Sequence, residues 1–188
     1  MEFHAVMPEA LENGLVQVRE ICEDLGATRI KTTTDNAERM KLWTARHHAY
    51  ELLQRIHAGQ NIYIDDVAVP ISQYPKLIAF AERAIADAGI HAYMKGHAGD
   101  GNIHCEFPYA TDAEFAVISR VNDRIVQKAI ELGGTATGEH GVGMGKTQFM
   151  EQEHGLALVV MRQIKDVLDP NGILNPGKIF PDEPSVTA

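Results

Sequence analysis

From Pro8 onward, Leu11, Leu15, Val18, Cys22 and Leu25 fall on one face of a 3.6-residue period, and Gly26 ends the pattern. That predicts a first helix, preceded by a short alternating strand from Glu2 to Val6. A β-like run, ATRIKTTT, leads into a second helical stretch that begins at Asp35 and stops at Gly59, with Met40, Trp43, Leu52 and Ile56 on its apolar side. Asp35 suits the N-cap, with Glu38 three residues on, as in a capping box. NIYIDDVAVP is a β-branched strand closed by Pro70, and Ser72 is placed to cap a helix through Leu77, Phe80, Ala81 and Ile85 to Gly89. IHAYMKGH and IHCEFPY, joined by the turn-prone AGDGN, read as a hairpin. Asp112 then opens a long amphipathic helix through Phe115, Ile118, Val121, Ile125 and Ile130 to Gly133. Beyond a glycine-rich loop, GGTATGEHGVGMGK, a last helix passes through Leu158, Met161, Ile164 and Leu168.

The resulting order up to residue 133, β-α-β-α-β-α-β-β-α, predicts an α+β fold: a ferredoxin-like antiparallel sheet with helices on one face, plus a C-terminal helical extension. A doubly wound sheet is the runner-up. At 188 residues the chain is long enough for one domain with a real core. That domain is expected to cover residues 1–180, with 181–188 as a flexible tail, because PDEPSVTA has almost nothing to bury.

Charge narrows the partners. With 17 Lys+Arg against 26 Asp+Glu, a net charge of −9 exerts no overall pull on phosphate backbones or anionic lipid, so nucleic acid is not an expected partner. No run approaches the length of a transmembrane segment, and MEFHAVMPEA lacks the basic and apolar regions of a secretory signal. Cys22 and Cys105 lie far apart with no paired spacing, which suits a reducing compartment. These features predict a cytoplasmic protein, attached to the inner membrane, if at all, through partners.

Two segments concentrate glycine beside histidine and carboxylate, GHAGDGNIH (96–104) and GEHGVGMGK (138–146). Glycine at this density marks backbone that bends tightly or is approached closely, as loops around ligands require. An antiparallel return would bring His97 and His104 toward one point, and Glu139 offers a third ligand for a divalent metal. Spacing alone leaves ordinary strand histidines as the alternative. GMGKT is no Walker motif, because His140 stands where that loop needs glycine, and GVGMG is no dinucleotide fingerprint. Cys105, next to His104 on a strand, should face the opposite way as a small buried hydrophobe. Arg46, close to Trp43, is either a cation packed on the indole or a fork for a substrate carboxylate. His47, His48, His57 and His154 read as surface residues.

GHAGDGNIHCEF, TGEHGVGMGK, MRQIKDVLDPNGILNPGKIF, LWTARHHAY and DDVAVPISQYPKL, five motifs in the family's order, strongly resemble the C-terminal domain of the FAD-linked oxidases. The family includes D-lactate dehydrogenase of the cytochrome type and the glycolate oxidase flavin subunit, and the wording WTAR, DVAVPIS and TGEHGVGMGK is most like the former. The resemblance implies a cap domain over FAD held mainly by a separate domain or subunit, which this chain does not contain. It implies a divalent metal, zinc or manganese, on His97, His104 and Glu139, with His140 as catalytic base, Arg46 as carboxylate anchor and Asn175 near the flavin. The implied reaction is oxidation of a small 2-hydroxy acid to the 2-oxo acid by hydride transfer to flavin, with an electron acceptor still to be identified and no turnover by this chain alone. Ile64 stands where the D-2-hydroxyglutarate branch carries lysine, which argues against a dicarboxylate substrate. The alternative is a non-catalytic or regulatory module that binds a metal or hydroxy acid.

Overall fold

A computed structural model describes residues 3–180, and the chain divides into two compact units, one ending at Leu53 and the other beginning at Gln54. In the first unit, α1 (Pro8–Asp24) starts at a proline whose missing N–H is no loss in the first turn. Helix α2 (Asn36–His47) is capped by Asp35, whose Oδ1 accepts from Glu38 N at 2.8 Å. The second predicted helix is broken at His48, which leaves helical geometry (φ −94°, ψ 9°) while its Nδ1 meets Glu51 Oε2 at 2.7 Å. A separate α3 (Ala49–Ile56) follows and straddles the division between the units.

Two expected strands do not form. Residues 3–7 and 27–34 carry no strand, and Glu2 lies outside the described residues. Strand propensity reflects fit to a pleated, half-buried surface, and Phe3 and Val6 lie exposed with no such surface to join.

The second unit contains the sheet. Strands β1 (Asn61–Ala68), β2 (Tyr93–His97) and β3 (Asn102–Tyr109) are antiparallel in the order β1-β3-β2. Helix α4 (Tyr74–Asp87) joins β1 to β2, but Ser72 does not cap it: a 3-10 turn over Ile71–Gln73 leads in, and Pro75 occupies the first helical turn. Helix α5 (Asp112–Glu131) starts one residue after Thr111, whose side chain forms a reciprocal capping box with Glu114. Two helices, α6 (Met150–His154) and α7 (Ala157–Leu168), form the C-terminal extension, and the residues from 169 to 180 run as turns. The architecture is α+β, as the pattern predicted.

Register explains where the core sits. Tyr63 lies opposite Phe107, Asp65 opposite Cys105 and Val67 opposite Ile103, so these share one face. Val67, Ile103, Cys105 and Phe107 are buried there with Leu77 and Ala81 of α4 and Ile118, Ile125 and Val126 of α5. The opposite face carries Asp66 across from His104 and Lys95 across from that same histidine.

Candidate functional site

The polar face of the sheet is built by alternation. On β3, Asn102, His104 and Glu106 turn away from the core, and on β2 Tyr93, Lys95 and His97 join them. The hairpin turn depends on Gly101, whose φ of +70° favours glycine and where a Cβ would fall 1.8 Å from Val69 O. This close return puts the His97 and His104 rings 5.9 Å apart at 85°.

The third component is the loop after α5. Thr135 pairs with Ala68 along the free edge of β1, and Gly138 N donates to Asp66 O at 3.2 Å. At Gly138 a Cβ would lie 2.2 Å from both Asn102 Nδ2 and Asp66 Oδ1, so only glycine lets the chain pass so close. The loop thereby delivers Glu139 and His140 over His104. Glu139 Oε1 lies 3.3 Å from His104 Nε2 and 3.8 Å from His97 Nε2. Two donors bound to one ion at about 2.1 Å are at most about 4.2 Å apart, so both separations suit a shared ion. His140 stacks on His104 with centroids 5.0 Å apart at 22°, its ring half exposed.

Asp66 organises this cluster, and sequence reasoning missed it. Its Oδ2 accepts from Glu139 N at 2.6 Å and His140 N at 2.7 Å, and its Oδ1 accepts from Asn102 Nδ2 at 2.7 Å. Burial works to raise the Asp66 carboxyl, but the two backbone N–H groups, Asn102 and His140 together hold it below its ordinary value. Asp66 Oδ1 also faces the buried His104 Nδ1 at 3.3 Å, short of hydrogen-bond alignment. A proton kept at Nδ1 leaves Nε2 as a lone-pair donor toward Glu139, the usual arrangement behind a metal-ligating histidine. Burial lowers the His104 pKa despite Asp66, favouring the neutral ring that a metal needs. The available signal was a second aspartate in a β-branched run, one residue out of phase with Val67 and therefore on the other face.

Among the described residues, two side-chain trios have donor atoms mutually within 4.8 Å, His97–His104–Glu139 and Asp66–His104–His140. The first is the trio expected from sequence. It fits a divalent cation by donor chemistry, two imidazoles and a half-exposed carboxylate, while Asp66 is already engaged by three N–H donors. Arg46 lies on α2 in the first unit, its guanidinium 5.2 Å from the Trp43 ring centroid. Asn175 is exposed in the tail at φ 48°, four residues before Ile179 N donates to Gly143 O at 2.8 Å. Among the described residues, Asn175 does not join the trio. Cys105 is buried on the core face as expected, and burial pushes its thiol pKa up.

Residues 1–179 match the FAD linked oxidases, C-terminal domain. The chain is 36% identical over 184 residues, 96% of its length and 37% of the relative's, to a protein named probable D-lactate dehydrogenase, mitochondrial, of Danio rerio. It is 37% identical over 182 residues to D-lactate dehydrogenase [cytochrome] 1, mitochondrial, of Saccharomyces cerevisiae, covering 94% of this chain and 31% of that one. Identity to glycolate oxidase subunit GlcD of Bacillus subtilis is 33% over 175 residues, or 92% of this chain and 37% of that subunit. The chain thus spans about a third of the length of the curated relatives it matches. The cytoplasmic expectation is corrected here: the D-lactate dehydrogenase relatives from animal and yeast are named as mitochondrial, which points to the mitochondrion rather than the cytoplasm. Two separated cysteines could not make that distinction, since thiols persist in both compartments. Among the described residues no helix is long and apolar enough to cross a membrane. With the match extending over nearly every residue, the chain belongs to the family of FAD linked oxidase C-terminal domains.

Proposed function

We propose that this chain is the substrate- and metal-binding part of an FAD-dependent D-2-hydroxy-acid dehydrogenase of the D-lactate or glycolate type. The observation that carries the reading is the convergence of His97 Nε2, His104 Nε2 and Glu139 Oε1 beside the half-exposed His140 ring. A divalent ion, zinc or manganese, held by those three residues would supply Lewis acidity that lowers the pKa of a chelated α-hydroxyl. Flavin, bound by the FAD-binding domain or subunit of the complete enzyme, would accept the hydride from Cα.

The remaining work falls to side chains of this chain. His140 takes the hydroxyl proton at Nε2, because its Nδ1 is turned toward Asp66 Oδ2, 3.8 Å away. Imidazole is the side chain most often used for such a proton transfer. Loss of the α-hydroxyl proton to His140 and of the Cα hydride to the flavin would leave the 2-oxo acid. Asp66 holds the Glu139 and His140 backbone, fixing where both side chains begin. Arg46 is the proposed anchor for the substrate carboxylate through its planar fork, and Asn175 the residue proposed to lie near the flavin.

Metal content of the purified chain by elemental mass spectrometry, beside Glu139→Ala and His140→Ala, tests the reading. About one equivalent of zinc or manganese in the parent and in His140→Ala, lost in Glu139→Ala, is the expected result. No metal in the parent after dialysis against both ions overturns it.

A further inference from the structure

The lysine of the rejected phosphate-loop look-alike is not on the surface. Lys146 closes the segment GEHGVGMGK, yet it is only 8% exposed, while Glu139 to Gly145 are exposed or half-buried. Its Nζ contacts Asp65 Oδ1, and Asp65 is 1% exposed on the core face of β1, opposite Cys105. Burial in that apolar layer works to raise the Asp65 carboxyl, and the Lys146 ammonium opposes it. The other oxygen of Asp65, Oδ2, has no hydrogen-bond partner. A buried carboxylate among Phe107, Cys105 and Val67 contributes little to packing, so its placement asks for another reason.

Position supplies one. Asp65 and Asp66 are consecutive on β1 and face opposite sides of the sheet. Asp66 grips the start of the loop at the Glu139 and His140 backbone, and Asp65 grips its end at Lys146. Three residues beyond Lys146, Phe149 enters the core at 3% exposure, and its N donates to Lys146 O at 3.0 Å. The loop therefore leaves the polar face at Gly138, crosses solvent, and is fastened on the opposite face at Lys146.

We propose that Asp65 and Lys146 are positioning residues for the metal and substrate site: the pair is the far-end clamp that sets where the Glu139–His140 loop holds its ligand and base. This rests on the functional reading above, since the clamp matters to chemistry only if Glu139 and His140 act there. Neither residue touches the ligand trio. The effect passes along the loop backbone, so its loss lowers metal affinity without removing a ligand.

The test uses the 188-residue chain and the doubly neutral variant Asp65→Asn/Lys146→Met, which leaves no buried charge unpaired. Lys146→Arg is the conservative variant and Glu139→Ala the ligand-removal control. Calorimetric titration with Zn²⁺ and the visible spectrum of the Co²⁺-loaded chain read the site, while amide hydrogen exchange over residues 138–146 reads the loop without metal. The double variant should bind Zn²⁺ about 10- to 100-fold more weakly, the range seen when supporting partners of metal ligands are removed. Its Co²⁺ spectrum should shift and its loop amides exchange faster, with α4 and α5 protection unchanged. Lys146→Arg should restore loop protection and affinity to within a few-fold. Parental loop exchange and parental Zn²⁺ affinity in the double variant, with affinity lost in Glu139→Ala, overturn the clamp and leave the metal reading standing. Absence of Zn²⁺ binding by the parent, with faster loop exchange in the double variant, overturns the metal reading while supporting the clamp on the loop.

Discussion

One strand serves two environments. On β3, Ile103, Cys105 and Phe107 are sealed under α4 and α5, while Asn102, His104 and Glu106 lie equally buried on the other side among charges and hydrogen bonds. The two faces are held by different physics. The core face gains stability from apolar area removed from water and from close packing, which tolerate a range of shapes provided volume is kept. On the polar face, stability and geometry depend on particular partners: Asp66 with three N–H donors, and Glu106 with Lys95 at 2.6 Å. Loss of packing there matters less than loss of a partner, because a buried polar group left alone carries its full desolvation cost.

If the division holds, the largest stability loss comes from the core face. Phe107 is fully buried, and Phe107→Ala should destabilise by about 3–5 kcal/mol, read as a lower urea midpoint. Zn²⁺ affinity of the fraction still folded should stay within about threefold of the parent's. A loss of metal affinity as large as the loss of stability would show that the faces do not act separately.

A smaller effect with a distinct pH signature is expected at Asp66. Its carboxyl is held below the ordinary value of about 3.9, so its contribution is fully present above that pH and is lost as pH falls through the lower folded value. Asp66→Asn presents an NH₂ where either Asn102 or the Glu139 and His140 N–H groups already donate. Destabilisation of about 1–3 kcal/mol at pH 7 is expected, together with a flatter loss of stability below pH 4. Urea unfolding from pH 7 to pH 3 checks this. An unchanged acid limb in the variant would mean that other carboxylates carry it.

The contrast also explains what the sequence could reveal. Helix faces and the β1 to β3 strands were legible because an apolar core on one side imposes a period, whereas glycine density only marked the segments holding His97, His104 and Glu139, and spacing left ordinary strand histidines open until the resemblance to the FAD-linked oxidases favoured a shared metal. Asp66 was harder to see, because its role depends on a register between segments more than 70 residues apart, Asp66 to Glu139 and His140. Lys146 was read only as a failed phosphate-loop residue, since nothing local shows a lysine turning inward to meet a strand aspartate. The two missing N-terminal strands failed for the converse reason: alternation at residues 2–6 and β-branching at 27–34 are local signals, and a strand exists only where an edge receives it.

The finest test of the comparison lies between adjacent residues. His104 and Cys105 are neighbours on β3, yet one faces the ligand trio and the other faces Asp65 and the core. Cys105→Ala removes a buried sulfur from the apolar side, for which a loss of about 1 kcal/mol is expected. The backbone beneath His104 should not move, so Zn²⁺ affinity should remain within about twofold. In the parent, burial raises the Cys105 thiol and hides it, so iodoacetamide at pH 8 should modify the half-buried Cys22 while sparing Cys105 until the chain unfolds. A tenfold fall in Zn²⁺ affinity for Cys105→Ala, in a chain whose loop amides remain protected, would mean that packing on one face sets ligand geometry on the other. The sheet would then act as a single mechanical layer, and the clamp at Asp65 would be one of several core contacts that tune the site.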